Sequence, residues 1–163
     1  MQTAQYSFQH LLGNDPSKKE DGTSAIPFVA CEDWRETVNY LCDQRLSKKV
    51  LANTYPHVNF DAIDQEHDPI WKHYEHKFGA YDEYTKRRES EDAFGLDTRA
   101  RAAWTFVKDR PETSIAIVSH SAFFMHMFTL LDGVVEYADE EVEILMKDRF
   151  FNCEMRSVVA QIL

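Results

Sequence analysis

The sequence is poor in cysteine, glycine and proline, and it has no long apolar run. Its three cysteines, Cys31, Cys42 and Cys153, are odd in number, far apart and include no CxxC pair. A zinc ribbon, a redox motif and a disulfide framework therefore have no support, and reduced thiols in a cytoplasmic protein are the expectation. No apolar stretch approaches the ~20 residues of a membrane span. The opening Met1-Gln-Thr-Ala-Gln-Tyr6 lacks the basic and apolar regions of a signal peptide. A dense basic face is missing too: 18 Lys and Arg stand against 28 Asp and Glu, a net charge of −10. That balance argues against nucleic-acid binding. It leaves phosphorylated ligands open, because a few focused arginines outweigh the global field locally. No GxGxxG, P-loop or GxSxG motif and no internal repeat occurs.

What is present fits one globular domain over residues 1–163: the chain is long enough for a core, and 44% of it is hydrophobic. Thr3 to Leu12 reads as a helix ended by Gly13-Asn-Asp-Pro16, and Ser17 to Ser24 as a polar loop. Ile26 to Cys31 reads as a buried strand and Leu46 to Tyr55 as a helix stopped by Pro56. Asp61 to Ser90 has poor periodicity and is expected to be an irregular insert with some helix. Asp97 looks like the N-cap of a helix to about Asp109, with Ala100, Ala103, Trp104 and Val107 on one face. Ile115 to Ser119 has the look of a strand buried on both faces. Ser121 is positioned to cap a buried helix, Ala122 to Leu131, followed by a short helix from Asp139 to Lys147 and a terminal strand from Arg156 to Leu163. The alternation predicts an α/β class with a largely parallel sheet.

The most informative segment is Val118-Ser-His-Ser121. A histidine at the C-terminal end of a buried strand, directly before a helix, sits where open α/β sheets place their ligands. The N–H groups of that helix, from about Ala122, form an anion site to which His120 would add charge. A loop histidine with a satisfied ring is an equal reading of the same residues. Asp33-Trp-Arg-Glu36 offers Arg35 as an anion clamp and Glu36 as a titratable acid, or a solvated turn with a surface ion pair. In Cys42-Asp-Gln-Arg45, Arg45 could reach a phosphate and Asp43 orient it. His67, His73 and His76 lack a completing ligand at standard spacing, so no metal site is expected. His126, on an apolar helix, reads as a packing residue.

In order along the chain, Arg35-Glu36, Cys42-Asp-x-Arg45, Tyr55-Pro-His-Val-Asn-Phe60 and Arg110-Pro-Glu-Thr-Ser-Ile-Ala-Ile-Val-Ser-His-Ser121 resemble the phosphoglycerate-mutase-like branch of the histidine phosphatases. Met1-Gln-Thr-Ala4 is similar to the end of that family's Ser-Pro-Leu-x-Arg-x-x-Gln-Thr-Ala segment. The resemblance implies a three-layer α/β/α fold and phosphoryl transfer through a phosphohistidine, that is, phosphomonoester hydrolysis without a cofactor. It implies that Glu36 is the general acid and His120 the second histidine, stabilising the transferring phosphoryl group. Arg35, Arg45, Ser121 and Ala122 would bind the substrate, a small phosphorylated molecule or a phosphoprotein. No Arg-His-Gly, the family's nucleophile motif, occurs in the 163 residues. By the resemblance, that motif and the first central strand would lie upstream of Met1, leaving the fold incomplete and this chain inactive as given. The alternative is a noncatalytic relative that binds a phosphorylated ligand or a protein.

Overall fold

The computed structural model describes residues 1–8, 26–83, 86–131, 136–157 and 159, and the chain divides into two compact units. The first comprises Met1–Glu32 and Arg45–Asp68. After α1 (Gln2–Phe8), the strand β1 (Phe28–Val29) pairs in parallel with β2 (Val58–Asn59), Phe28 opposite Val58 and Val29 opposite Asn59. The Ala30 N–H donates to the Asn59 carbonyl at 2.8 Å and carries the pairing one residue further. Between the strands runs α2 (Lys48–Thr54), which Ser47 caps by accepting the Val50 N–H at 3.3 Å and which stops before Pro56. Leu51, Phe60 and Ile63 close over one another as this unit's core.

The second unit comprises Asp33–Gln44 and Pro69–Leu163. In α3 (Pro69–Phe78), proline opens the helix, where its missing N–H costs nothing, and Gly79, at φ +90°, ends it. Its inner face, Trp71 and Tyr74, packs on Val38. In α4 (Ala93–Lys108), Leu96, Arg99, Ala100 and Ala103 are buried at helical spacing. α5 (Ser121–Leu130) packs against both α4 and α6 (Glu140–Lys147), with Phe123, Met127 and Phe128 inward. Asp139 caps α6 by accepting the Val142 N–H at 2.8 Å, and three glutamates in the first turn complement the helix dipole.

Helix and a small parallel sheet together make a mixed α/β chain, with several departures from the sequence expectations. The run Ile115 to Ser119 is not a strand: it has no regular secondary structure, Ile115 and Val118 are 42% and 37% exposed, and among the described residues it makes no ladder. A strand exists only with a partner to take its N–H and C=O groups, and none among the described residues lies alongside. Arg156, Ser157 and Val159 are not in a strand, and the rest of that expected terminal strand lies outside the described residues. So do the expected loop Ser17 to Ser24 and the helix expected beyond Phe8. α4 begins five residues earlier than its apolar spacing indicates. Asp92, not Asp97, is its cap, accepting the Gly95 N–H at 3.1 Å, and Asp97 lies inside the helix paired with Arg101 at 2.9 Å. His120 rather than Ser121 is the last extended residue before α5, and Ser121 is the first helical one. No helix among the described residues is long and apolar enough to cross a membrane.

Candidate functional site

Within the second unit, Asp33 and Trp34 lead into Arg35 and Glu36, and the segment before α5 delivers His120, in extended conformation, beside them. Trp34 anchors the approach. Its indole N–H donates to the Ala103 carbonyl at 3.0 Å, and its ring meets Trp104 and Phe123 edge-on at centroid distances of 5.4 and 6.0 Å. The Ser119 hydroxyl donates to the Trp34 carbonyl at 2.6 Å and ties the two segments together.

Glu36 uses its two oxygens differently. Oε1 accepts the Phe123 N–H of the first turn of α5 at 3.0 Å, the Thr37 N–H at 2.8 Å and the Thr37 hydroxyl at 3.3 Å. Oε2 faces the His120 Nδ1 at 3.9 Å, an ion pair when the imidazole is protonated. One helix-terminal donor therefore goes to a side-chain carboxylate of the chain itself, and Oε2 is the oxygen left for other chemistry. His120 is 61% exposed at its side chain and so is open to a ligand.

A cleft of about 250 Å³ opens between this carboxylate and the start of α5, lined by Glu36, Asn39, Ser90, Ser121, Ala122 and His126. Arg87 and Arg149 bring positive charge to its wall, although the chain as a whole is acidic. Polar side chains along the wall are joined in series. The Thr37 hydroxyl accepts from the Asn39 amide at 3.0 Å, the same amide donates to the Ser90 hydroxyl at 2.9 Å, and that hydroxyl lies 3.5 Å from His126 Nε2. Burial holds the His126 imidazole below its ordinary pKa, reinforced by Arg87 and Arg149 and opposed by Glu36 and Glu89.

Beneath the loop lies a buried ion pair. The Arg99 Nε and Nη2 donate to the two oxygens of Glu89 at 2.8 and 2.9 Å, and Glu89 Oε2 also accepts the Val38 N–H at 2.7 Å. The rest of the guanidinium serves the loop: Nη1 donates to the carbonyls of Asp33 and Arg35 at 3.0 and 2.9 Å, and Nη2 to that of Glu36 at 3.4 Å. Its plane lies 4.1 Å from the Phe123 ring centroid.

Of the residues singled out from the sequence, Glu36, His120, Ser121 and Ala122 meet in this region. Arg35 turns its guanidinium to the carbonyl of Asp43, whose carboxylate in turn accepts the Asn39 and Tyr40 N–H groups at 3.0 and 2.7 Å. Arg45 belongs to the first unit. There it pairs with Glu32 at 2.8 Å and donates to the carbonyls of Leu46, Gln65, Glu66 and His67. The sequence reading passed over Thr37, Asn39, Arg87, Ser90, Glu89, Arg99 and Arg149. It assigned His126 to internal packing, and the structure places that residue partly buried on α5 and lining the cleft.

The chain is similar to three proteins of Arabidopsis thaliana. It is 30% identical over 148 residues to phosphoglycerate mutase-like protein 1, covering 90% of this chain and 46% of that protein. Against a phosphoglycerate mutase-like protein it is 31% identical over 156 residues, 91% of this chain and 50% of the relative. Against phosphoglycerate mutase-like protein 2 it is 27% identical over 118 residues, 72% and 29% respectively. The chain thus spans half or less of the length of the relatives it matches. These similarities agree with the resemblance carried by the motifs, to the phosphoglycerate-mutase-like branch of the histidine phosphatases. No family model and no solved structure matches the chain.

Proposed function

We propose that the chain carries the acid and second-histidine half of a phosphoglycerate-mutase-like phosphoryl-transfer site and binds the phosphoryl group of a small phosphate monoester there. A single domain of the three-layer α/β/α type and a cytoplasmic location belong to the same reading. The observation that supports it is the meeting of Glu36 Oε2 and His120 Nδ1 at 3.9 Å next to the first turn of α5. A phosphoryl group between them and the helix start takes N–H donors and imidazolium charge from one side. From the other side, Glu36 Oε2 faces the ester oxygen of the bound monoester while Oε1 stays held by its three donors. Protonating a leaving alcohol there would need a nucleophile to take the phosphoryl group, which these 163 residues do not supply.

The 163 residues contain no Arg-His-Gly, so no phosphohistidine forms on this chain and it binds without turning over. The test is a titration of the chain with inorganic phosphate, followed by amide and imidazole NMR, alongside an assay with p-nitrophenyl phosphate. The expected result is saturable phosphate binding on the order of 1 mM, felt at Phe123 and His120, lost in His120→Ala, with no hydrolysis. A chain whose His120 and Phe123 signals ignore phosphate overturns the reading, as does hydrolysis that survives His120→Ala.

A further inference from the structure

We propose that Arg99 is the positioning residue for the Glu36 carboxylate, a role resting on the reading of Glu36 as the acid of a phosphoryl pocket. Arg99 is 6% exposed and lies on α4, well removed in sequence from both parts it touches. One guanidinium reaches the main chain on either side of Arg35, through the carbonyls of Asp33, Arg35 and Glu36. Its plane also lies on the ring of Phe123, the residue whose N–H holds Glu36 Oε1 at 3.0 Å. Arg99 therefore grips both ends of the Glu36–Phe123 hydrogen bond, the backbone that carries the acid and the residue that receives it.

The direction of the guanidinium is itself fixed. Glu89, 1% exposed and on the 3-10 turn Glu89–Glu91, engages Nε and Nη2 in a fork and accepts the Val38 N–H two residues beyond Glu36. A planar five-donor group in that fork has Nη1 left for two carbonyls at once, a geometry that an ammonium cannot reproduce. A bare structural ion pair needs only the Glu89 contacts. The three carbonyl bonds are what single out the acid-bearing loop, since they select which way its side chains leave the backbone. With Glu36 so fixed, Oε1 stays on the helix and Oε2 stays on the His120 side.

The experiment compares the whole chain with Arg99→Lys, with and without Glu36→Gln in each, reading the Phe123 amide shift before any ligand is added. In the native chain, Glu36→Gln moves that amide because its acceptor loses charge. In Arg99→Lys the amide is already displaced and the further change on Glu36→Gln is expected to fall to a third or less, with phosphate binding weakened tenfold or more and the melting transition still cooperative. Full retention of the Glu36 effect on Phe123 in folded Arg99→Lys overturns the proposal. Should Arg99→Lys not fold, the double replacement Arg99→Met with Glu89→Leu fills the same space without either charge, and the same two amide results decide. Absence of phosphate binding in the native chain refutes the functional reading alone, because the Phe123 measurement needs no ligand.

Discussion

Glu36 holds the first turn of α5 through the Phe123 N–H, 3.0 Å from its Oε1, so one carboxylate clamps together two segments 87 residues apart. Glu36→Ala removes that clamp and leaves the Phe123 and Thr37 N–H groups without their charged acceptor. A hydrogen bond to a charged group contributes about 1.5–3 kcal/mol, and the partial exposure of Glu36 places the cost at the lower end, about 1–2 kcal/mol. For a chain of this length that is a fall of roughly 3–7 °C in Tm by calorimetry. Glu36→Gln, which keeps an oxygen facing Phe123, is expected to lose less than half as much.

Asp92 joins α4 to α3. It accepts the Gly95 N–H at 3.1 Å, the Tyr74 hydroxyl at 3.3 Å and the Lys77 ammonium at 2.6 Å. The Lys77 hydrogen bond above all, then the Gly95 N–H, hold its carboxyl below its ordinary pKa of 3.8 against the opposing effect of burial. A depressed carboxyl contributes stability that is present above 3.8 and is lost as pH falls below it. Asp92→Ala, losing an N-cap, is expected to cost about 1 kcal/mol at neutral pH and to flatten the acid limb of a denaturant-monitored stability profile.

At the other end of the scale, burial raises the Tyr74 hydroxyl above its ordinary pKa of 10.0, with the Glu89 and Asp92 carboxylates adding to the shift. The folded chain therefore keeps that proton where the unfolded one gives it up. The associated stability is intact below pH 10 and falls as pH rises beyond it. Tyr74→Phe removes this source of alkaline instability, and urea melts between pH 9 and 11 are expected to show a shallower decline than in the native chain.

Gly95 is a helical glycine that ought to improve on replacement, since alanine favours a helix interior by about 1 kcal/mol. The opposite is expected here. A Cβ at this position meets the Tyr74 hydroxyl at 2.7 Å and the Asp92 carboxylate at 2.8 Å, both fixed to each other. Gly95→Ala is predicted to destabilise by roughly 1–3 kcal/mol, the scale of overpacking, in an equilibrium urea titration.

The contrast between α4 and the segment after it shows where the sequence was readable. The face from Ala100 onward is inward and periodic, so the helix itself was plain. Its true start was hidden because Phe94, in the first turn, is 82% exposed and breaks the apolar spacing that pointed to Asp97. Ile115 to Ser119 has the composition of a buried strand, yet pairing is a property of two segments, and a single run cannot supply its own partner. The Glu36 and His120 neighbourhood was legible through motif order, and the structure brings the two side chains within 3.9 Å. Asn39, Ser90 and His126 carry no such signal. They come together only because α3, α4 and α5 fold back on the loop, across separations of 51 and 36 residues. Arg99 was invisible for the same reason: a charged residue at a buried helical position is recognisable only once Glu89 and three carbonyls are seen around it.

The indole of Trp34 lies two residues ahead of the acid, wedged edge-on between Trp104 and Phe123 with its N–H on Ala103. Its emission colour depends on how much water reaches the ring, and the ring packs on Phe123, whose N–H also holds Glu36. The chain thus contains an optical gauge at the margin of its own pocket, one that needs no dye and no chromogenic substrate. Trp71 and Trp104 emit as well, so with both replaced by phenylalanine a compound that seats against the acid is expected to alter the remaining emission, and that shift sorts candidate ligands before any reaction has been found for them.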